Sequence, residues 1–209
     1  MARLRSAFDR LAKDAFEAVA ARGCVDHQTE REIPSEVLRA DFFCVPDPAQ
    51  LHLLGDFPIL RRMFAVGPGI FEFFHQVPSP DELLACIREA SVLRKPARFP
   101  ARTEEPWLWV LSAGRPDQLI APFGFRHETR WPPGFYGTLP GLRMRLVIVS
   151  ELPVTRDTLF LRALGGGATL RAAREELATS PEHPVSRLLA PLMVALYEDT
   201  DDLEFKMET

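Results

Sequence analysis

Two acidic residues stand inside strongly apolar stretches of this sequence. Asp41 lies among Leu38, Phe42, Phe43 and Val45, and Glu72 among Ile70, Phe71, Phe73 and Phe74. A carboxylate in such surroundings is costly to desolvate unless it meets a cation, a metal ion or hydrogen-bond donors. If the two stretches are neighbouring strands, both acids converge on one hard cation. Magnesium fits oxygen ligands of this kind, with manganese as the alternative, and a water on such a cation can attack a phosphodiester. The other reading pairs each acid with a nearby arginine: Arg39, Arg61 or Arg62. The residues alone leave both open.

Three further polar positions belong to the same question. Strand alternation carried through residues 70–76 puts Glu72, Phe74 and Gln76 on one face and turns His75 to the other. Gln76 is then the polar companion of Glu72, able to orient a water or a phosphate oxygen but bringing no charge. Glu30 and Glu32 precede Asp41 on a polar stretch. They read as a solvated face, or as extra ligands within reach of the site.

The elements that must position these residues follow from hydrophobic spacing. Leu4, Phe8, Leu11, Ala15 and Val19 predict an amphipathic helix over 4–21, ended by Gly23. A polar strand is expected around 27–33, broken by Pro34, and a buried strand over 37–45 that Pro46-Asp47-Pro48 stops. Short helices are expected over 49–64, and a second buried strand over 70–76. Ser79-Pro80-Asp81-Glu82 reads as a capping box opening a helix whose buried face is Leu83, Leu84, Ile87, Ala90 and Leu93. Residues 96–106 read as loop, 107–111 as a short buried strand, 114–141 as loop with one short strand, and 145–152 as the last strong strand. Helices over 155–164, 168–179 and 184–198 complete the chain, with His183 in the turn before the last. Strands alternating with helices predict an α/β fold with a mixed sheet, in a single domain over 1–209. Within it, residues 155–209 are a helical C-terminal part packed on a core over 1–154.

Bulk properties narrow the classes. With 46% hydrophobic and 26% charged residues among 209, the chain can bury a sizeable core. The net charge of -4 announces no general affinity for nucleic acid, though a local basic face is compatible with it. Arg143, Arg145, Arg156 and Arg162 are candidates for such a face, or for surface salt bridges. Cys24, Cys44 and Cys86 are odd in number and widely spaced, which speaks against a disulfide framework and a zinc site. No apolar run approaches the roughly 18–20 residues that span a bilayer, and MARLRSAFDR lacks an apolar leader core. A soluble cytoplasmic protein is expected, without a membrane.

Several motif-like strings carry less. Gly165-Gly166-Gly167-Ala168-Thr169 precedes a helix but lacks the lysine of a phosphate loop, and reads as a helix cap and turn. Trp131, Phe135 and Tyr136 suit base stacking or the sealing of a core edge. Glu204-Phe205-Lys206 matches E-x-K literally but belongs to a polar tail rather than a strand.

Taken together, RADFFCVPDP at 39–48, IFEFFHQVPSPDEL at 70–83, LWVLSAG at 108–114 and LVIVSELPVTRDTLFLRALGGG at 146–167 resemble the PD-(D/E)XK nuclease superfamily, and within it the Rpn/YhgA-like group of transposase-related, recombination-promoting nucleases. The resemblance implies a restriction-endonuclease-like αββαβ core and magnesium-dependent hydrolysis of DNA. Asp41 would be the metal-binding aspartate and Glu72 the acid of the E-x-K element. The pattern is broken where Phe74 replaces the lysine, and Gln76 is the nearest polar substitute. The alternative implied is an inactive member that uses the scaffold to bind a protein, a nucleic acid or a second copy of itself.

Overall fold

The structure, a computed structural model, describes residues 2–33, 38–94 and 104–199. Helix α1 (Ala2–Ala20) leads into strands β1 (Cys24–Ile33) and β2 (Leu38–Pro46), a short helix α2 (Pro58–Phe64), and strand β3 (Gly69–Phe74). Helix α3 (Pro80–Leu93) then crosses to β4 (Trp107–Ser112). After a one-turn α4 (Asp117–Ile120), strands β5 (Arg126–His127), β6 (Phe135–Gly137) and β7 (Met144–Ile148) complete the sheet. Helices α5 (Leu159–Arg162), α6 (Gly167–Thr179) and α7 (Pro184–Asp199) follow.

The seven strands form one mixed sheet in the order β1-β2-β3-β4-β7-β6-β5. β1, β2 and β3 are antiparallel neighbours, whereas β3, β4 and β7 run parallel. The expected α/β class with a mixed sheet is therefore observed. Each face of the sheet carries its own apolar layer, as the two-residue period of a strand requires. Phe42, Phe71, Phe73, Trp109 and Val147 join the layer of α1, α2 and the C-terminal helices. Phe43, Ile70, Val110 and Leu146 join the layer under α3, with Leu83, Cys86, Ala90 and Leu93. At the first face Phe16 of α1 touches four phenylalanines: Phe42, Phe71, Phe73 and Phe160, at centroid distances of 4.8–5.7 Å. The same buried layer includes Phe160, Leu177, Val185 and Leu189, so α5–α7 share one core with the sheet.

Helix α3 starts on the expected capping box. Ser79 Oγ accepts the Glu82 N–H, and the Glu82 carboxylate accepts the Ser79 N–H at 2.8 Å. At its other end Arg94 donates to the carbonyls of Pro106, Leu142 and Arg143, tying the helix to the starts of β4 and β7.

Several boundaries differ from those read in sequence. β3 ends at Phe74 rather than continuing to residue 76, because the chain bends at His75 and Gln76 to reach the Ser79 cap. β7 stops at Ile148; Val149–Glu151 form a 3-10 turn, with the Ser150 N–H donated to the Ala113 carbonyl. The helix expected over 155–164 is a 3-10 turn followed by the short α5. The stretch 114–141 holds α4 and two short strands rather than one. Pro34, much of the 96–106 loop and Glu204–Lys206 lie outside the described residues.

Candidate active site

Asp41 and Glu72 are brought together by the antiparallel pairing of β2 and β3. The register sets Phe42 opposite Phe71, Phe43 opposite Ile70 and Cys44 opposite Gly69. Two residues beyond the last pair, the Phe73 N–H donates to Asp41 Oδ2 at 3.0 Å. The Asp41 carboxylate thus continues the ladder with a side chain. The Glu72 carboxyl lies close enough to Asp41 for the charge of Asp41 to oppose its ionisation.

Asp41 is ion-paired with Lys13 of α1, whose Nζ lies 3.3 Å from Oδ1, with 11% of the lysine side chain exposed and 23% of the aspartate's. Of the arginines considered from sequence, Arg62 instead lies over the Trp131 ring at 4.4 Å, and the side chain of Arg39 lies outside the described set. Lys13 is the residue that sequence reading missed. Helical spacing places it at the margin of the apolar stripe of α1, beside Ala12 and seven residues before Ala20. A lysine there reads as a stem lying along the core with its ammonium in water. Only the long-range packing of α1 against β2 and β3 reveals where the ammonium goes.

Glu72 is buried, and its Oε1 has no hydrogen-bond partner among the described residues. Burial first, then the charges of Asp41 and Glu89, raise its carboxyl well above the usual carboxylate range. Glu89, two turns into α3, lies near enough for its charge to act on Glu72 and for that of Asp41 to act on it. Its half-buried carboxyl is raised to about 7, by burial first and then by Asp41, with Arg88 pulling the other way. Cys86, one turn earlier and buried, has its thiol raised by burial and then by Glu72 and Glu89. Three carboxyls from β2, β3 and α3 therefore influence one another, and Asp41 is approached by Lys13 from α1 and by Glu89 from α3.

The remaining sequence candidates are placed as follows. Gln76 is exposed in the bend after β3, so strand alternation does not bring it beside Glu72. Phe74 packs against the apolar layer under α3. Glu30 lies in β1 between Thr29, opposite Phe42, and Arg31, opposite Ala40, so its backbone faces that of Asp41. The side chains of Glu30 and Glu32 lie outside the described set. Trp131 and Phe135 are buried and stacked at 4.8 Å, sealing the core, while the Tyr136 hydroxyl donates to Glu151. Three of the four arginines considered as a basic face are ion-paired, and two of these, Arg143 and Arg145, both lie over the Trp107 ring. Arg162 is in the core and paired with Glu176, and Arg145 and Arg143 pair with Glu128 and Glu104. Gly165 donates its N–H to Arg162 and closes α5, and a Cβ there would meet Val149. The three cysteines are buried free thiols.

Among the described residues no group of three or more histidines, cysteines or acids is set to hold a metal ion. No described helix is long and apolar enough to cross a membrane. Comparison with protein-family models, curated proteins and solved structures finds no match for the chain.

Proposed function

We propose that this protein is a divergent PD-(D/E)XK nuclease-like enzyme that hydrolyses phosphodiester bonds in DNA, with magnesium or manganese held by Asp41 and Glu72. The observation that carries the reading is the carboxyl pair itself: two acids on adjacent antiparallel strands, close enough for one to oppose the ionisation of the other, and one with a buried oxygen that has no partner among the described residues. A buried unpartnered carboxyl oxygen is a standing cost in the folded protein, and a hard cation is the kind of partner that removes it. Two carboxylates suffice for magnesium, which keeps waters and takes the rest of its shell from substrate phosphate. The order of elements lends further support. Strands β2 and β3 pair antiparallel and the crossover helix α3 leads on to the parallel strand β4, which matches the ββαβ part of the expected αββαβ core, with β1 as an additional antiparallel strand.

A bound cation of this type would polarise a phosphoryl oxygen and make its water a nucleophile. The chain's own contribution is the geometry. Phe73 N–H fixes one oxygen of Asp41, Lys13 balances the other, and the apolar walls of β3 and α3 exclude bulk water from Glu72. Calorimetry with manganese, together with nicking of supercoiled plasmid, tests the reading. Wild type is expected to bind and cleave, and Asp41→Ala to do neither. A folded wild type that binds no manganese at millimolar concentration and leaves plasmid intact would overturn it.

A second reading, an inactive nuclease-fold protein that binds a protein or nucleic acid partner, is favoured by Phe74 at the position of the motif lysine. On that reading Asp41→Asn and Glu72→Gln leave partner binding unchanged.

A further inference from the structure

Lys13 is an unusual neighbour for a site built to hold a divalent cation. Its ammonium already stands 3.3 Å from Asp41 Oδ1, and the residue is buried on the inner side of α1. Asp41 Oδ2 is engaged by the β3 backbone. A second cation reaching Asp41 therefore meets a fixed positive charge that water screens poorly, because the lysine side chain is only 11% exposed. Glu72, near Asp41, keeps an oxygen with no hydrogen-bond partner among the described residues.

We propose, resting on the metal-dependent reading above, that Lys13 is a positioning residue that acts as an internal counter-cation of Asp41, competing with a divalent ion for that carboxylate and setting the affinity of the site. The proposal separates this lysine from a strand lysine of the E-x-K type. Lys13 comes from a helix, acts through Asp41, and makes metal binding weaker. The chemical reason for such a device is stability. Before metal binds, the ammonium keeps Asp41 neutralised, so the β2–β3 junction stays closed.

The test uses the full chain and manganese alone as the probe. Lys13→Met is expected to bind manganese at least about tenfold more tightly than wild type, because one nearby positive charge is gone. Lys13→Arg, which keeps the charge, is expected to stay near the wild-type value. A purely structural ion pair predicts otherwise: Lys13→Met would lose stability while its manganese affinity stayed within twofold of wild type, and that result overturns the proposal. If neither wild type nor Lys13→Met binds manganese, the metal-dependent reading falls and takes this one with it. If both bind equally and plasmid is still cleaved, only the role of Lys13 falls. Should Lys13→Met fail to fold, wild type itself carries the test. The chain has three lysines, Lys13, Lys95 and Lys206, so their side-chain NMR signals can be assigned by substitution of the other two. Titration with magnesium is expected to move the Lys13 signal and leave the others in place. A Lys13 signal that does not move overturns the proposal.

Discussion

The Asp41 carboxylate accepts the Phe73 backbone N–H at 3.0 Å, so a side chain of β2 completes the hydrogen bonding of β3 where the paired register ends. Asp41 is a structural residue as well as a candidate ligand, and substitutions separate the two roles. Asparagine can still accept the Phe73 N–H but no longer neutralises Lys13; alanine does neither. Breaking a buried ion pair costs about 3–5 kcal/mol, and the partial exposure of Asp41 puts Asp41→Asn at or below the low end of that range. Asp41→Ala is expected to lose about 1 kcal/mol more for the orphaned N–H. Urea unfolding of both variants measures the difference, and equal midpoints would show that the Phe73 bond contributes nothing.

How much of this was legible in the sequence depends on the range of the forces involved. The capping box at Ser79 and Glu82 is a local pattern of four residues, and the structure shows both of its bonds. The apolar strands around Asp41 and Glu72 follow from composition over a few residues. Their convergence required a neighbour relation between β2 and β3, which sequence supplies only as a condition. Gln76 was read by extending strand alternation two residues too far. Alternation holds only while a ladder holds it, and β3 leaves its last partner, Ser112, at Phe74. Lys13 and Glu89 were invisible for a different reason. Each sits on a helix as an ordinary polar residue and acquires its role only through packing against the sheet.

Glu89 gives a pH signature. Its folded value of about 7 lies above the ordinary glutamate value near 4.3, so the native protein binds this proton more tightly than the unfolded chain does. The stabilisation is complete below about pH 4 and is lost as pH rises through about 7. Glu89→Gln cannot titrate and escapes that loss. Without added divalent ions, the variant is expected to match wild type near pH 4 and to exceed it by about 1 kcal/mol near pH 8, after discounting for its half-exposed position. Urea midpoints at the two pH values check this. A difference independent of pH would remove Glu89 from the electrostatics of the site.

All three tryptophans of the chain meet one guanidinium. Arg145 lies 4.4, 5.0 and 5.1 Å from the ring centroids of Trp107, Trp109 and Trp131, and pairs with Glu128 at 2.9 Å. Each desolvated cation–π contact contributes about 0.5–2 kcal/mol, so Arg145→Met is expected to cost about 2–3 kcal/mol although it keeps most of the apolar stem. Because no tryptophan lies elsewhere, intrinsic fluorescence reports this cluster alone, and the emission of the folded variant should differ from wild type. An unchanged spectrum with a loss under about 0.5 kcal/mol would mean that the rings pack equally well without the charge.

Glu72 should reveal the conflict between stability and binding most directly. In the folded protein it is held where burial, Asp41 and Glu89 all oppose its ionisation, and Oε1 has no hydrogen-bond partner among the described residues. Since its folded value is raised, its contribution to stability is present below the unfolded value and falls as pH rises. Glutamine keeps the shape, can donate to Asp41 through its amide, and never ionises. Glu72→Gln is therefore expected to be more stable than wild type in the absence of metal, by on the order of 1–3 kcal/mol at pH 8, the scale of an uncompensated buried polar group. The gain should shrink as pH is lowered toward 5. Magnesium should reverse the ranking. A ligand bound only by the native state adds stability in proportion to RT ln(1 + [L]/Kd), and at a hundredfold excess over Kd that is about 2.7 kcal/mol. Wild type is expected to gain this in melting experiments and Glu72→Gln to gain none. A variant less stable than wild type at pH 8 without metal would mean that the buried carboxyl contributes to the fold rather than straining it. An equal magnesium response in both proteins would remove Glu72 from the metal site.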